Sequence, residues 1–276
     1  MERRAYGRIS IMSDLRILSL GAGVQSSTLA LMIEKGEIPM VSCGIFSDTQ
    51  SEPKKVMDYL EYLKTQVSYP IYTVTKGNLR KDLLTLASGK KINQVGVPFW
   101  TLSEKNTKGI ARRTCTSEYK IKPLIKKVRE LLGFKKGDRV KKGIKVEQLF
   151  GISRDEIYRV KPSQYHYIQH LYPLIDKGMR RYDCINWMER NNFKIPPRSA
   201  CTFCPFHSDK EWIEIKKNKL EWEQVVELDD NIRRIPSLRD DAFLHKDRKP
   251  IKDINFNKDE NQLDLFNSEC SGFCGS

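Results

Sequence analysis

The sequence predicts an α/β fold, a parallel sheet with helices on both faces, and three observations carry that prediction. Apolar strand-like runs at 17–20, 39–46 and 70–75 alternate with helical runs, one opening around Leu29 and one spanning 54–65. Such alternation implies right-handed crossovers between parallel strands. The first strand runs into a loop of small and hydroxyl residues, Gly21, Ala22, Gly23, Gln25, Ser26, Ser27 and Thr28, at the start of a helix. Small residues let backbone N–H groups converge, and the helix aims its positive end at the loop, so an anion site is expected there, with phosphate the obvious anion. The second strand ends in a polar turn, 47–53, which a parallel sheet brings to the same carboxyl edge, where ligands bind.

Composition narrows the class. The 276 residues are 39% hydrophobic and 30% charged, enough to bury a full core and typical of a soluble globular chain. No apolar run approaches the ~20 residues of a membrane span. The N-terminus lacks the apolar core of a signal peptide, so a cytoplasmic chain with no membrane partner is expected. Net charge is +14, with basic residues recurring at 120–127, 135–145, 180–181, 216–219 and 233–239. That excess favours a polyanion, nucleic acid above all, over a merely solvated lysine-rich surface. The seven cysteines of a cytoplasmic chain point to metal, cluster or redox work rather than disulfides.

Four regions are expected: a polar lead-in at 1–14, a nucleotide-binding domain at 15–207, a helical extension at 208–252, and a linker with a cysteine-containing tail at 253–276. The stretch 76–108 reads as loop-rich. Strands are expected at 148–152 and 170–175, and a helix at 181–192 with Asp183 near its start. Residues 208–266 read as helical, with apolar positions at helical spacing that suit packing.

The loop at 21–28 matches neither common phosphate loop. Ser26 stands where the dinucleotide fingerprint has its third glycine, and the Gly-Lys-Ser/Thr of the nucleoside-triphosphatase loop is missing. Gly21-Ala22-Gly23-Val24-Gln25-Ser26 instead resembles the pyrophosphatase loop (SGGxDS) of the adenine-nucleotide alpha-hydrolase superfamily. Gly21 replaces its first serine and Gln25 its aspartate. Four further segments follow in the order of that superfamily's phosphoadenosine phosphosulfate (PAPS) reductase-like group. Asp48-Thr49-Gln50-Ser51-Glu52-Pro53 resembles its DTGxxxPE-like turn. Lys120-Ile121-Lys122-Pro123-Leu124, after Arg113 and Cys115, resembles its K-[VI]-x-P-[LI] run. Residues 151–159, with Arg154, Glu156 and Arg159, resemble its GxRxxExxR run. A proline-rich turn then leads into Cys201-x-x-Cys204.

The resemblance implies a Rossmann-like sheet of the adenine-nucleotide alpha-hydrolase type that binds ATP or a related adenine nucleotide with Mg2+. The nucleotide contacts would come from Gly21, Ala22, Gly23, Gln25, Ser26, Ser27, Thr28, Asp48, Glu52, Arg113, Lys122, Glu156 and Arg159. Asp48 or Glu52 would accept ribose hydroxyls or help hold Mg2+, against a plain helix-capping role. Arg113, Lys120 and Lys122 would meet phosphate or sulfate oxygens. Arg154 and Arg159 would fork such an oxyanion with Glu156 orienting them, against ordinary ion pairing on a surface helix. Lys120 and Arg154 are the catalytic candidates inside the domain.

Cys115, Cys201 and Cys204 form, by the same resemblance, a three-thiolate set for a [4Fe–4S] cluster, with zinc as rival. Soft thiolates suit both. The fourth ligand is open among Cys184, His207, a tail cysteine and a substrate sulfur, although Cys43 and Cys184 read first as core residues. In the tail, Glu269-Cys270 resembles the Glu-Cys-Gly end of PAPS reductases, which makes Cys270 and Cys274 candidate nucleophiles.

Three functions stand on these residues. In one, ATP is cleaved between its α- and β-phosphates to adenylylate an acceptor, tRNA or DNA, for sulfur transfer. In another, a tail cysteine reduces PAPS or adenosine phosphosulfate. In the last, the chain binds nucleotide or nucleic acid without catalysis, which Gln25 at the motif aspartate supports. A homodimer is left open.

Overall fold

A computed structural model of the protein describes residues 14–92 and 95–256. The expected alternation is present: β1 (Asp14–Leu20), α1 (Val24–Glu34), β2 (Cys43–Asp48), α2 (Lys54–Thr65) and β3 (Ile71–Thr75). Later in the chain, α4 (Lys122–Leu131) leads to β6 (Lys145–Phe150), β7 (Ile168–Leu171), α5 (Pro173–Asp176) and α6 (Arg181–Arg190). The five strands form one parallel sheet in the order β3-β2-β1-β6-β7. Strand order reverses between β1 and β6, so the carboxyl ends of these two strands open the crevice in which such sheets bind ligands.

Both faces of the sheet are covered. Alternate side chains of a strand point to opposite faces. Leu18 and Leu20 of β1 therefore pack with α1, α2 and α6, while Leu15 and Ile17 pack with Leu124, Ile125 and Val128 of α4. Helix α1 is buried at every position from Val24 to Ile33, because sheet, α2 and α6 surround it. The result is the Rossmann-like α/β fold that the alternation predicts.

A third core lies beyond β3. It joins α3 (Leu79–Ala87), α7 (Asp209–Lys217) and α8 (Lys219–Asn231) to a small antiparallel sheet of order β5-β4-β8. Its strands are β4 (Trp100–Leu102), β5 (Lys108–Ile110) and β8 (Asp241–Phe243). The expected extension at 208–252 thus shares its core with residues 79–119. Asp229, fully buried, fastens this unit by accepting the backbone N–H groups of Leu244 and Ile251, both at 2.9 Å, and pairing with Arg233 at 2.7 Å.

Several local expectations are corrected. The stretch 76–108 is not all loop: Asn78 Oδ1 accepts the N–H of Lys81 at 2.8 Å and so starts α3. Residues 39–42 precede β2 rather than belonging to it, since pairing with β1 begins at Cys43. Residues 148–152 shift to Lys145–Phe150, and 170–175 divides into the end of β7 and the short α5. Residues after Asn231 are not continuously helical, because β8 pairs with β4. No helix among the described residues is long and apolar enough to cross a membrane.

Candidate active site at the carboxyl edge of the sheet

The loop after β1 turns sharply. Ala22 has φ +57, and Gly23 caps α1 with its backbone alone, without a side-chain cap or an acidic residue in the first turn. The N–H groups of a first helical turn lack intrahelical acceptors, so this end of α1 is electropositive. Ser26 and Thr28 spend their hydroxyls on their own backbone. Ser26 Oγ accepts from Gly21 N–H at 3.2 Å and donates to Gly23 O at 3.3 Å, while Thr28 Oγ1 donates to Val24 O at 2.9 Å. Ser27 is fully buried, and its hydroxyl has no hydrogen-bond partner.

The first residue after β6 roofs this turn. A Cβ on Gly151 would stand 2.4 Å from both the backbone N and the Cα of Ser26, so only glycine lets β6 deliver its loop there. That loop carries Ser153 and the 3-10 turn Arg154–Arg159. Gln25 Nε2 donates to Glu156 Oε2 at 3.1 Å and to Ser153 Oγ at 3.3 Å, and its Oε1 accepts from Arg181 at 3.0 Å. Glu156 in turn holds Arg159 at 2.6 Å, with both side chains buried. Arg159 thus pairs with Glu156, while the Arg181 guanidinium bonds the neutral Gln25 beside the positive end of α1, an arrangement that suits an anion. The network also explains Gln25. An amide donates to Glu156 and accepts from Arg181 together, whereas an aspartate would set two carboxylates against each other.

The end of β2 builds the other half. Asp48 Oδ1 accepts from Gln50 N–H at 2.6 Å, bending the chain where Gln50 has φ +54. Glu52, its side chain 1% exposed, accepts from Thr49 at 3.2 Å and has the Lys120 ammonium at 3.5 Å. Lys120 comes from a π-helical turn, Thr116–Ile121, that runs into α4.

The segment 199–204 lies across both strand ends. Ser199 Oγ donates to Gly21 O in the loop after β1, and Thr202 reaches Ser51 O in the loop after β2 through its N–H at 2.8 Å and its hydroxyl at 3.0 Å. Between these ties sits Cys201, whose Sγ is 3.2 Å from Thr49 Oγ1 and 3.9 Å from Glu52 Oε1. Burial first, and then Glu52, push its thiol well above the usual range, so it is protonated at neutral pH. Cys115, Cys201 and Cys204 line one cavity of about 30 Å³ with Thr49, Arg113 and Lys120.

The far side of the cysteine turn is anchored to α7. His207 Nε2 bonds Cys201 O at 2.9 Å, and Arg198 pairs with Glu211, which also accepts from Ser208 N–H at 2.8 Å. Burial alone would raise the Glu211 carboxyl, but His207, Arg198 and the Ser208 N–H hold it down at about 2.

These two clusters gather most of the expected residues. Lys122 stays apart: it is exposed and pairs with Glu118. Arg154 is exposed on the outer side of its turn. Arg113 reaches the thiol cavity and lies over the Phe206 ring at 5.6 Å. Cys43 and Cys184 are core residues as expected, and burial raises the Cys43 thiol to about 11 against the opposing charge of Lys127. Cys270 and Cys274 lie outside the described residues. Sequence reading did not single out Gly151 for its close approach, nor Ser153, Arg181 or Ser199. Gly151 had a legible signal, a glycine directly after an apolar strand, as Gly21 is after β1.

The five cysteines of the described residues are not in disulfides. The three thiols of the cavity are chemically apt for iron–sulfur or zinc. Among the described residues, no group of three or more His, Cys, Asp or Glu side chains is close enough as arranged to hold a metal ion.

Fold and site together describe a Rossmann-like α/β protein whose polar groups and thiols meet at the carboxyl edge of one parallel sheet. Among solved structures, the chain is similar to a phosphoadenylyl-sulfate (PAPS) reductase from Candida auris in a phosphate complex. The likeness has 13% identity and a TM-score of 0.38, and covers 67% of this chain and 75% of that one. No protein-family model and no curated protein matches the sequence. The functional reading below therefore rests on this chain's own residues.

Proposed function

We propose that the protein is an adenine-nucleotide-binding enzyme that activates a nucleic-acid acceptor for sulfur transfer. ATP binds at the loop after β1, with its phosphates toward the positive end of α1 and toward Arg159 and Arg181. The acceptor oxygen attacks the α-phosphorus and pyrophosphate leaves. A sulfur nucleophile then attacks the adenylylated carbon, and AMP leaves. Lys120 and Arg113 neutralise charge on the phosphates. Asp48, half-exposed at the end of β2, is the carboxylate for Mg2+, since Glu52 is already engaged by Lys120 and Thr49.

One observation carries this reading: the ties from Ser199 to Gly21 and from Thr202 to Ser51 lay the thiol segment over the same strand ends as the nucleotide loop. Sulfur chemistry and adenylyl transfer need a shared site, and that overlap supports the reading.

Pyrophosphate release from ATP, with and without nucleic acid, is the test. Release stimulated by nucleic acid and abolished by Ser26→Ala together with Ser27→Ala is expected; no release under either condition overturns the activity. A cluster on Cys115, Cys201 and Cys204 is a separate proposal, and no step above runs through it. It requires the three thiols to close on a common centre. Iron, sulfide and zinc content of protein purified without oxygen decides it: about four irons per chain establishes the cluster, and about one zinc makes the thiols structural.

A further inference from the structure

Eight large hydrophobic side chains are exposed among the described residues, and four of them lie on two segments that touch: Ile157, Tyr158 and Val160 beside Tyr182. The segments are joined where Arg154 N–H donates to Met179 O at 2.8 Å and the Asp155 carboxylate accepts from Arg181 N–H at 3.2 Å. Tyr158 is 70% exposed and Tyr182 71%, so both rings offer faces to solvent. The same two stretches of chain carry Arg154, Lys161, Lys177, Arg180 and Arg181.

The acids of this surface are largely committed to the backbone and to the buried network. Asp155 caps Arg181, Asp183 accepts from Arg180 N–H at 2.8 Å, and Glu156 is taken by Arg159 and Gln25. Asp176 and, two turns along α6 from Tyr182, Glu189 are the remaining exposed acids. The patch is therefore aromatic and basic together. It borders the crevice directly, because Arg181 extends from it to Gln25.

We infer that this face binds single-stranded nucleic acid, with bases stacked on Tyr158 and Tyr182 and phosphates held by Arg154 and Arg180. The inference deepens the proposed function, resting on its choice of a nucleic-acid acceptor and naming the form and the surface. Stacking demands a base whose face is free, which a single strand offers and a duplex hides. The rival basic surface is the loop with Lys135, Lys136, Arg139, Lys141 and Lys142. That loop feeds the start of β6, at the opposite end of the strand from the crevice, and its exposed side chains are charged without an exposed aromatic.

The test is fluorescence anisotropy of a labelled single-stranded oligonucleotide of about 16 nucleotides with the full chain and no ATP, against the matching duplex. The single strand binds more tightly. Tyr158→Ala with Tyr182→Ala weakens its binding about tenfold or more without changing the salt dependence, and the Tyr→Phe pair at the same positions keeps the affinity. Arg154→Ala with Arg180→Ala flattens the slope of log affinity against log salt by about 1.4, for two phosphates. A preference for duplex, an effect of the tyrosine pair within about twofold, or a loss that follows Lys135→Ala with Lys136→Ala instead overturns the assignment. Strand binding through the tyrosines without pyrophosphate release upholds this surface while removing the adenylylation step, so the two failures are distinguishable.

Discussion

The two halves of the site differ in how they are built. At the β1/β6 crevice, Gln25, Glu156, Arg159 and Arg181 satisfy one another across three elements, and Gly151 presses the loops together. At the end of β2, the thiols line a small cavity held from outside, by Ser199 and Thr202 on one side and by His207, Arg198 and Glu211 on the other. The first half is a closed polar network whose members are useful only together. The second is a set of thiols on a strap tied at both ends. On the proposed function, the first half would hold the anion and the second would bring the sulfur.

The difference can be broken most severely at Gly151. Gly151→Ala puts a methyl group 2.4 Å from the Ser26 backbone, and a loss of about 3 kcal/mol in urea unfolding is expected, together with loss of nucleotide binding. Unfolding of the variant at wild-type denaturant concentration would show that the two loops part without cost.

The strap responds instead to acid. Glu211 titrates near 2 in the folded protein against an ordinary value of 4.5, so its stabilisation is complete above about pH 4.5 and is lost as pH falls toward 2. The loss approaches about 3 kcal/mol and is read from unfolding midpoints across that range. In Glu211→Gln this acid limb disappears, and a variant that keeps the wild-type pH profile rules out the carboxylate as its source.

A smaller effect sharpens the polar half. Gln25→Glu sets a second carboxylate beside Glu156 and removes a donor, at a cost of about 1–2 kcal/mol that falls once pH is low enough to protonate one of them. If that variant is as stable at pH 7 as at pH 5, the amide is not reading Glu156.

The smallest effect concerns reactivity. Because burial of its thiol and the nearby Glu52 keep Cys201 protonated, a thiol reagent at pH 7 modifies the other cavity cysteines before it, as mass spectrometry of timed samples will show. Early labelling of Cys201 would mean that the strap opens readily.

Much of the fold was legible because hydrophobic period is local information. The helix expected at 54–65 has those bounds, and the strand and small-residue loop around Gly21 are where the pattern set them. Legibility failed where pairing was distant or a cap was overlooked. Asn78 starts α3 inside a stretch whose glycines suggested loop, and β8 is three residues long, too short for a period and defined by its partner β4. In the site, residue types were readable and partnerships were not. Glu156 and Arg159, read as oxyanion ligands against the alternative of a surface ion pair, do pair with each other, but they are buried because β6 sits against β1.

By itself, then, the sequence determined the parallel α/β architecture, the glycine- and hydroxyl-rich turn at the first helix, the positions of the thiols and the basic excess. Tertiary structure decided which of these meet. Gln25 finds Glu156 across 131 residues, and Cys201 finds Thr49 across 152, because the strand order brings β6 beside β1 and the segment 199–204 over both β1 and β2. Periodicity fixes what a segment becomes, but chain reversal and sheet order fix what it touches, and the chemistry of this site depends on the second.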